Sequence, residues 1–117
     1  GHPPILYFKK SENRCEELKP GGSALGMMNE ELFNKTIQSV EITPQSGDVI
    51  FIYTDGIFEA MNSHKDEYGL TKVKEVLCSN AYKEVSDIKR ILINSVTNFR
   101  GMNEVNDDIT FAIIKRK

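Results

Sequence analysis

Val49-Ile50-Phe51-Ile52-Tyr53 is a run of five β-forming side chains with no polar residue between them. A half-exposed strand alternates apolar and polar positions. An unbroken run instead predicts a strand covered on both faces, inside a layered structure. The run closes on Thr54-Asp55-Gly56, so Asp55 stands where the strand leaves the core. A second run, Ile109 to Ile114, has the same character, and Asn106-Asp107-Asp108 stands where it begins. If the two strands are adjacent and antiparallel, the end of one and the start of the other share a sheet edge. Asp55 and Asp107 then converge. Converging carboxylates repel, and a divalent cation is the usual reason to bring them together. The spacing alone reads equally well as an Asp-Gly turn and a solvated Asp-Asp strand start, because aspartate favours turns through local hydrogen bonds.

The remaining signals set the layer these strands rest on. Leu70, Val73 and Leu77 follow Gly69 with helical spacing, and Ile88, Leu92, Val96 and Phe99 repeat it in a longer segment. Ser86 with Asp87 predicts the N-cap and first-turn acid of the second helix, and Gly101 its stop. One apolar stripe on each predicts that both pack on a single sheet face. Ile5-Leu6-Tyr7-Phe8 predicts a short strand after Pro3-Pro4, and residues 9–14 a polar turn. Pro20-Gly21-Gly22-Ser23 is a break. Residues Thr36 to Ile42 read as a half-exposed strand joined by the turn Pro44 to Asp48 to the run at 49–53, a predicted hairpin. Strands, two helices and a final strand give an α+β order rather than alternating βαβ units.

At 117 residues this is one domain or part of one, and Lys plus Arg at 15 against Asp plus Glu at 17 give no electrostatic case for nucleic acid. No apolar run approaches the roughly 18 residues of a membrane span. Cys15 and Cys78 lack metal-type spacing, so free thiols in a reducing cytoplasm are expected. The start at Gly1-His2 predicts a processed product or a piece of something longer.

A haloacid-dehalogenase type of phosphatase also places Asp-Gly after a hydrophobic strand, but it needs an Asp-x-Asp pair. Tyr53 stands at the nucleophile position, and a phenol cannot form the acyl phosphate. A different resemblance covers essentially the whole chain. Gly1-His2-Pro3-Pro4, Ala24-Leu25-Gly26, Gly47-Asp48, Tyr53-Thr54-Asp55-Gly56-Ile57-Phe58-Glu59-Ala60 and Asp107-Asp108-Ile109-Thr110 occur in that order. They resemble the C-terminal half of the SpoIIE/RsbU-type bacterial serine phosphatases, a branch of the metal-dependent type 2C phosphatases.

The resemblance implies part of an α-β-β-α sandwich, antiparallel sheets flanked by helices, with residues 1–117 as the C-terminal part of a single phosphatase domain. It implies a centre of two Mn²⁺ or Mg²⁺ ions in the intact domain and a metal-activated water that attacks phosphoserine or phosphothreonine. Asp55 and Asp107 match the family's metal ligands, with no other catalytic residue assigned. Asp108, Gly56, Thr54 and Thr110 match supporting positions, the threonines orienting carboxylates by hydrogen bonds. Glu59 is read either as a contact to a third, weaker metal or as a structural residue. His2 reads as a turn residue rather than a general acid, His64 carries no sign of a ligand role, and Met27, Met28 and Phe33 read as packing. The family's N-terminal half, with its Asp-Gly-Gly-type motif, is absent, which leaves about half of a metal site. The implied partners are that half, upstream sensor or receiver modules, and a phosphorylated STAS-type (anti-anti-sigma) substrate; an uncovered apolar face also leaves pairing of two copies open. The implied location is the cytoplasm, with tethering to a membrane through upstream segments left open. The rival reading is a non-catalytic phosphatase-like interaction module.

Overall fold

The computed structural model describes residues 3–19, 41–104 and 107–117. His2, the break at 20–23, Ala24 to Met28, Phe33, residues 36–40 and Asn106 lie outside the described residues. The described elements are β1 (Ile5–Lys9), β2 (Arg14–Leu18), β3 (Val49–Tyr53), a 3-10 turn (Asp55–Ile57), α1 (Leu70–Asn80), α2 (Val85–Arg100) and β4 (Phe111–Lys115). The four strands form one antiparallel sheet in the order β2-β1-β3-β4. Both helices cover one face of it, the α+β arrangement expected.

The core lies between that face and the helices. Val49, Phe51 and Tyr53 point into it with Leu6 and Phe8 of β1, and meet Val73 and Leu77 of α1 and Ile88, Leu92 and Val96 of α2. Phe51 stacks on Tyr53 with centroids 5.0 Å apart and tilts against Phe111 at 5.6 Å. Fully burying a large side chain such as Phe51, Leu6, Leu77 or Leu92 stabilises the fold by about 1.5–3 kcal/mol. On the opposite face Ile50 and Ile52 are only half-buried, Ala112 is exposed and Ile114 is 53% exposed. The unbroken apolar run predicted cover on both faces; the described residues supply it on one. An apolar second face is what a sandwich strand needs, because a further sheet rests there.

The helices begin and end for local reasons. Gly69, at φ +86°, turns the chain into α1. For α2 the N-cap is Glu84, not Ser86. Its carbonyl accepts the amides of Asp87 and Ile88, both at 3.0 Å, so Ser86 and Asp87 lie in the first turn. Asp87 there and Arg100 in the last turn both suit the helix dipole. Gly101, at φ +64°, ends the helix as expected. Lys115 of β4 then pins the helix–helix connection to the sheet, donating to the carbonyls of Ala81 (2.9 Å) and Lys83 (2.8 Å).

Two expectations fail. β2, Arg-Cys-Glu-Glu-Leu, was not anticipated beyond the turn at 9–14, because charged residues are poor strand formers. It is an edge strand, where charge discourages further pairing. Glu16 there pairs with Lys9 across the hairpin (3.1 Å), and Glu17 with Lys74 of α1 (3.3 Å). Among the described residues the predicted hairpin over residues 36 to 53 has no counterpart: Glu41 and Ile42 carry no strand, and both edges of β3 are taken by β1 and β4. The turn at 44–48 is real, but the strand after it pairs with distant segments. The two cysteines are free and line one crevice between β2 and α1; burial, reinforced by Cys78, pushes the Cys15 thiol up to about 12.

Asp48 closes that turn and ties it to β1. Its carboxylate, 5% exposed, accepts the Tyr7 hydroxyl (2.5 Å), the Gln45 amide (2.9 Å) and the Lys10 amide (3.0 Å). Burial alone would raise its pKa, but these three donors and the nearby Lys9 ammonium outweigh it and hold the carboxyl below its ordinary value. The same bond, with burial, pushes the Tyr7 phenol up to about 12. The signs are opposite. Asp48 stabilises the fold above the unfolded carboxyl pKa of about 4, and this is lost as pH falls through its lowered value. Tyr7 stabilises it below about 10, and this is lost as pH rises from there towards 12. Tyr7→Phe is therefore expected to cost about 1–2 kcal/mol at neutral pH. It should also flatten both flanks of the stability profile in unfolding measured at about pH 3, 7 and 11. A variant that keeps the wild-type profile would show that the contact contributes nothing.

Candidate metal centre

β3 and β4 pair in register from Val49↔Lys115 to Tyr53↔Phe111, so the end of one and the start of the other do share a sheet edge. Just beyond the last pair the Thr54 amide donates to the Thr110 carbonyl (2.9 Å), and the Thr110 amide donates back to the Thr54 hydroxyl (3.2 Å). The Thr54 hydroxyl lies 3.3 Å from the carbonyl oxygens of both Asp108 and Thr110. Thr54 thus steadies the backbone of the opposing loop; a hydroxyl on the residue just past the strand end reaches the neighbouring strand sooner than a side chain in the next turn.

Gly56 brings the loops closer still. A Cβ there would sit 2.3 Å from the Asp108 carbonyl oxygen and 3.5 Å from that of Asp107, so the main chains touch where a side chain would stand. The 3-10 turn holds this approach: the Ile57 amide donates to Thr54 (3.3 Å), the Glu59 amide to Asp55 (3.0 Å), and Gly56 and Ile57 are buried. Asp55, Asp107 and Asp108 stay exposed on top of it. Asp107 accepts the Asp108 amide at 2.8 Å, which fixes its side chain against its own loop. Behind the strand end Tyr53 is a core residue: its ring is buried, its hydroxyl has no partner among the described residues, and burial with the Glu17 charge pushes it up to about 12.

Beside the convergence lies a cleft of about 470 Å³. Gly56, Glu59 and Asp107 line it, as do Glu67, Arg100 and Glu104, which sequence reasoning missed. Asp55 is not part of the lining. Nothing in the spacing marks Arg100, a cation at a helix end like any other. Glu59 lines the cleft with its side chain exposed. No hydrogen bond of the Thr110 hydroxyl occurs among the described residues.

Carboxylate oxygens in exposed loops are the donors a hard cation such as Mg²⁺ or Mn²⁺ takes. Their number is small: among the described residues, no three His, Cys, Asp or Glu side chains group closely enough to hold a metal ion. Asp55 and Asp107 fit part of a coordination shell. A family model for stage II sporulation protein E (SpoIIE) matches residues 1–117. The chain belongs to that family.

Over 119 residues this SpoIIE-family chain is 34% identical to Protein IcfG of Synechocystis sp. (strain ATCC 27184 / PCC 6803 / Kazusa), covering 99% of this chain and 17% of IcfG. Its fold is that of the SiaA-PP2C domain of Pseudomonas aeruginosa, with a TM-score of 0.81 at 16% identity over 100% of this chain and 44% of that one. It is also that of the phosphatase domain of the cell fate determinant SpoIIE from Bacillus subtilis (Mn presoaked), with a TM-score of 0.67 at 20% identity over 99% of this chain and 47% of that one. The chain thus spans less than half of each solved domain and a sixth or so of IcfG. No described helix is long and apolar enough to cross a membrane.

Proposed function

We propose that this chain is the C-terminal half of a metal-dependent protein serine/threonine phosphatase domain. The observation that carries the reading is the meeting, at one sheet edge, of the two loops that carry Asp55 and Asp107, with Gly56 packed against the Asp108 carbonyl. Membership of the SpoIIE family and a fold shared with domains named as phosphatases support it. In this reading Asp55 and Asp107 hold Mn²⁺ or Mg²⁺, and the N-terminal half completes the shell. The bound cations supply an activated water for in-line attack on a phosphoserine or phosphothreonine phosphorus. Thr54 and Gly56 fix the distance between the two ligand loops. Asp108 contributes its backbone to that contact, and Glu59 faces the cleft.

The substrate we propose is a phosphorylated STAS-type regulatory protein, with activity governed by sensor or receiver modules upstream in a cytoplasmic protein. The test is hydrolysis of such a phosphoprotein by the full-length protein. Turnover is expected with Mn²⁺ or Mg²⁺ and is expected to stop with a chelator, while residues 1–117 alone should show negligible activity and weak metal affinity. A full-length protein that binds the phosphoprotein but leaves it phosphorylated in Mn²⁺ would instead be an interaction module.

A further inference from the structure

Among the described residues Arg100 is the one basic side chain lining the cleft, which it shares with Glu59, Glu67, Glu104 and Asp107. Its Nε is buried with no hydrogen-bond partner, and no ion pair to its guanidinium occurs among the described residues. A charge at the last turn of α2 suits the helix dipole, but that needs only a cation near the end, with its head in water. It does not explain a donor withdrawn from solvent and left unpaired beside four carboxylates.

The chain that follows it is anchored beside the cleft. Gly101, at φ +64°, turns the backbone sharply after Arg100. The Asn103 side-chain amide then donates to the Met61 carbonyl (3.4 Å), fastening the α2–β4 connection to the cleft floor. A guanidinium and a candidate metal ligand, Arg100 and Asp107, thus line one cleft. A guanidinium offers five N–H donors in a planar fork that matches two oxygens of a phosphate, and it keeps its charge at any working pH.

We propose that Arg100 is a phosphate-binding residue that grips the non-reacting oxygens of the substrate's phosphoryl group, and of inorganic phosphate after hydrolysis. This rests on the phosphatase reading above for the identity of the substrate, though not for the binding of phosphate itself. Four carboxylates would repel a phosphate, so the guanidinium at the end of α2 would have to offset them, and a cation held by Asp107 would add to that attraction when bound. The arrangement also assigns Arg100 to the phosphoryl group rather than to the protein around it, so its loss weakens all phosphorylated substrates alike.

The experiment is a calorimetric titration of inorganic phosphate into the full-length, Mn²⁺-loaded protein, with steady-state kinetics on a phosphoserine protein beside it. Arg100→Met is expected to weaken phosphate binding by about tenfold or more and to raise KM by a similar factor, because a charge-assisted bidentate contact is lost. The Mn²⁺ concentration for half-activation and the melting temperature should stay near wild type. Arg100→Lys should recover only part of the phosphate affinity, since an ammonium has the charge without the fork. Equal phosphate affinity in wild type and Arg100→Met would overturn the proposal, as would a wild type that does not bind phosphate. Full rescue by lysine, tracking a restored melting temperature, would overturn it too and leave a helix-end charge. Absence of turnover in the wild type would sink the phosphatase reading alone, while the titration would still decide the role of Arg100.

Discussion

Asp55→Asn and Asp107→Asn, each introduced into the full-length protein, are expected to lower phosphoserine turnover by about a thousandfold or more, roughly 4 kcal/mol of transition-state stabilisation. The substitution keeps the shape and one carbonyl oxygen but removes the negative charge that holds a hard cation. Both side chains are exposed and neither carries a core contact, so the fold should survive. Melting temperatures near wild type are expected, because an exposed carboxylate exchanged for an amide of the same shape disturbs no packing. Raising Mn²⁺ should restore part of the activity if the lost function is affinity for the cation. Wild-type rates from either variant, in a protein that otherwise hydrolyses the substrate, would remove these residues from the reaction.

The parts of this molecule that sequence could reveal are those where one local signal decides the outcome. β3 is apolar throughout and β4 as far as Ile114, and each helix has a single stripe, so their type and the shared sheet edge followed from pattern. The meeting of the loops that carry Asp55 and Asp107 needed only the further step of antiparallel pairing. β2 escaped because it is held by its ladder to β1 and by charged contacts to Lys9 and Lys74 at a sheet edge, not by propensity. The hairpin over 36 to 53 was misread because a true local turn was taken to dictate pairing, whereas β3 finds better partners at Leu6 to Phe8 and at Phe111 to Lys115. Thr54 was read as an orienter of carboxylates, but its hydroxyl faces the opposing backbone. Arg100 could not have been found at all. What singles it out is an unpaired Nε in a cleft built from four separate segments, and no periodicity encodes that.

The sharpest structural consequence concerns Gly56, where replacement by alanine is expected to damage stability and function together. The added methyl would lie 2.3 Å from the Asp108 carbonyl oxygen and 3.0 Å from its carbonyl carbon, contacts with backbone that no rotamer can relieve. One loop must therefore move by about an ångström, and such overpacking typically costs 1–3 kcal/mol, about what this site should lose. The displacement falls on the contact that sets the separation of Asp55 and Asp107. A shift of about 1 Å at a reacting centre can cost roughly a hundredfold in rate, so Gly56→Ala in the full-length protein should lose about that much. Serine should behave as alanine does, and valine should fare worse because its branch adds bulk at the same point. The discriminating measurement is Mn²⁺ binding beside the melting curve. Weakened metal affinity in protein that is still folded at the assay temperature would tie the glycine to ligand geometry. An alanine variant with unchanged melting, metal affinity and rate would mean that the two loops do not hold each other at this distance in solution.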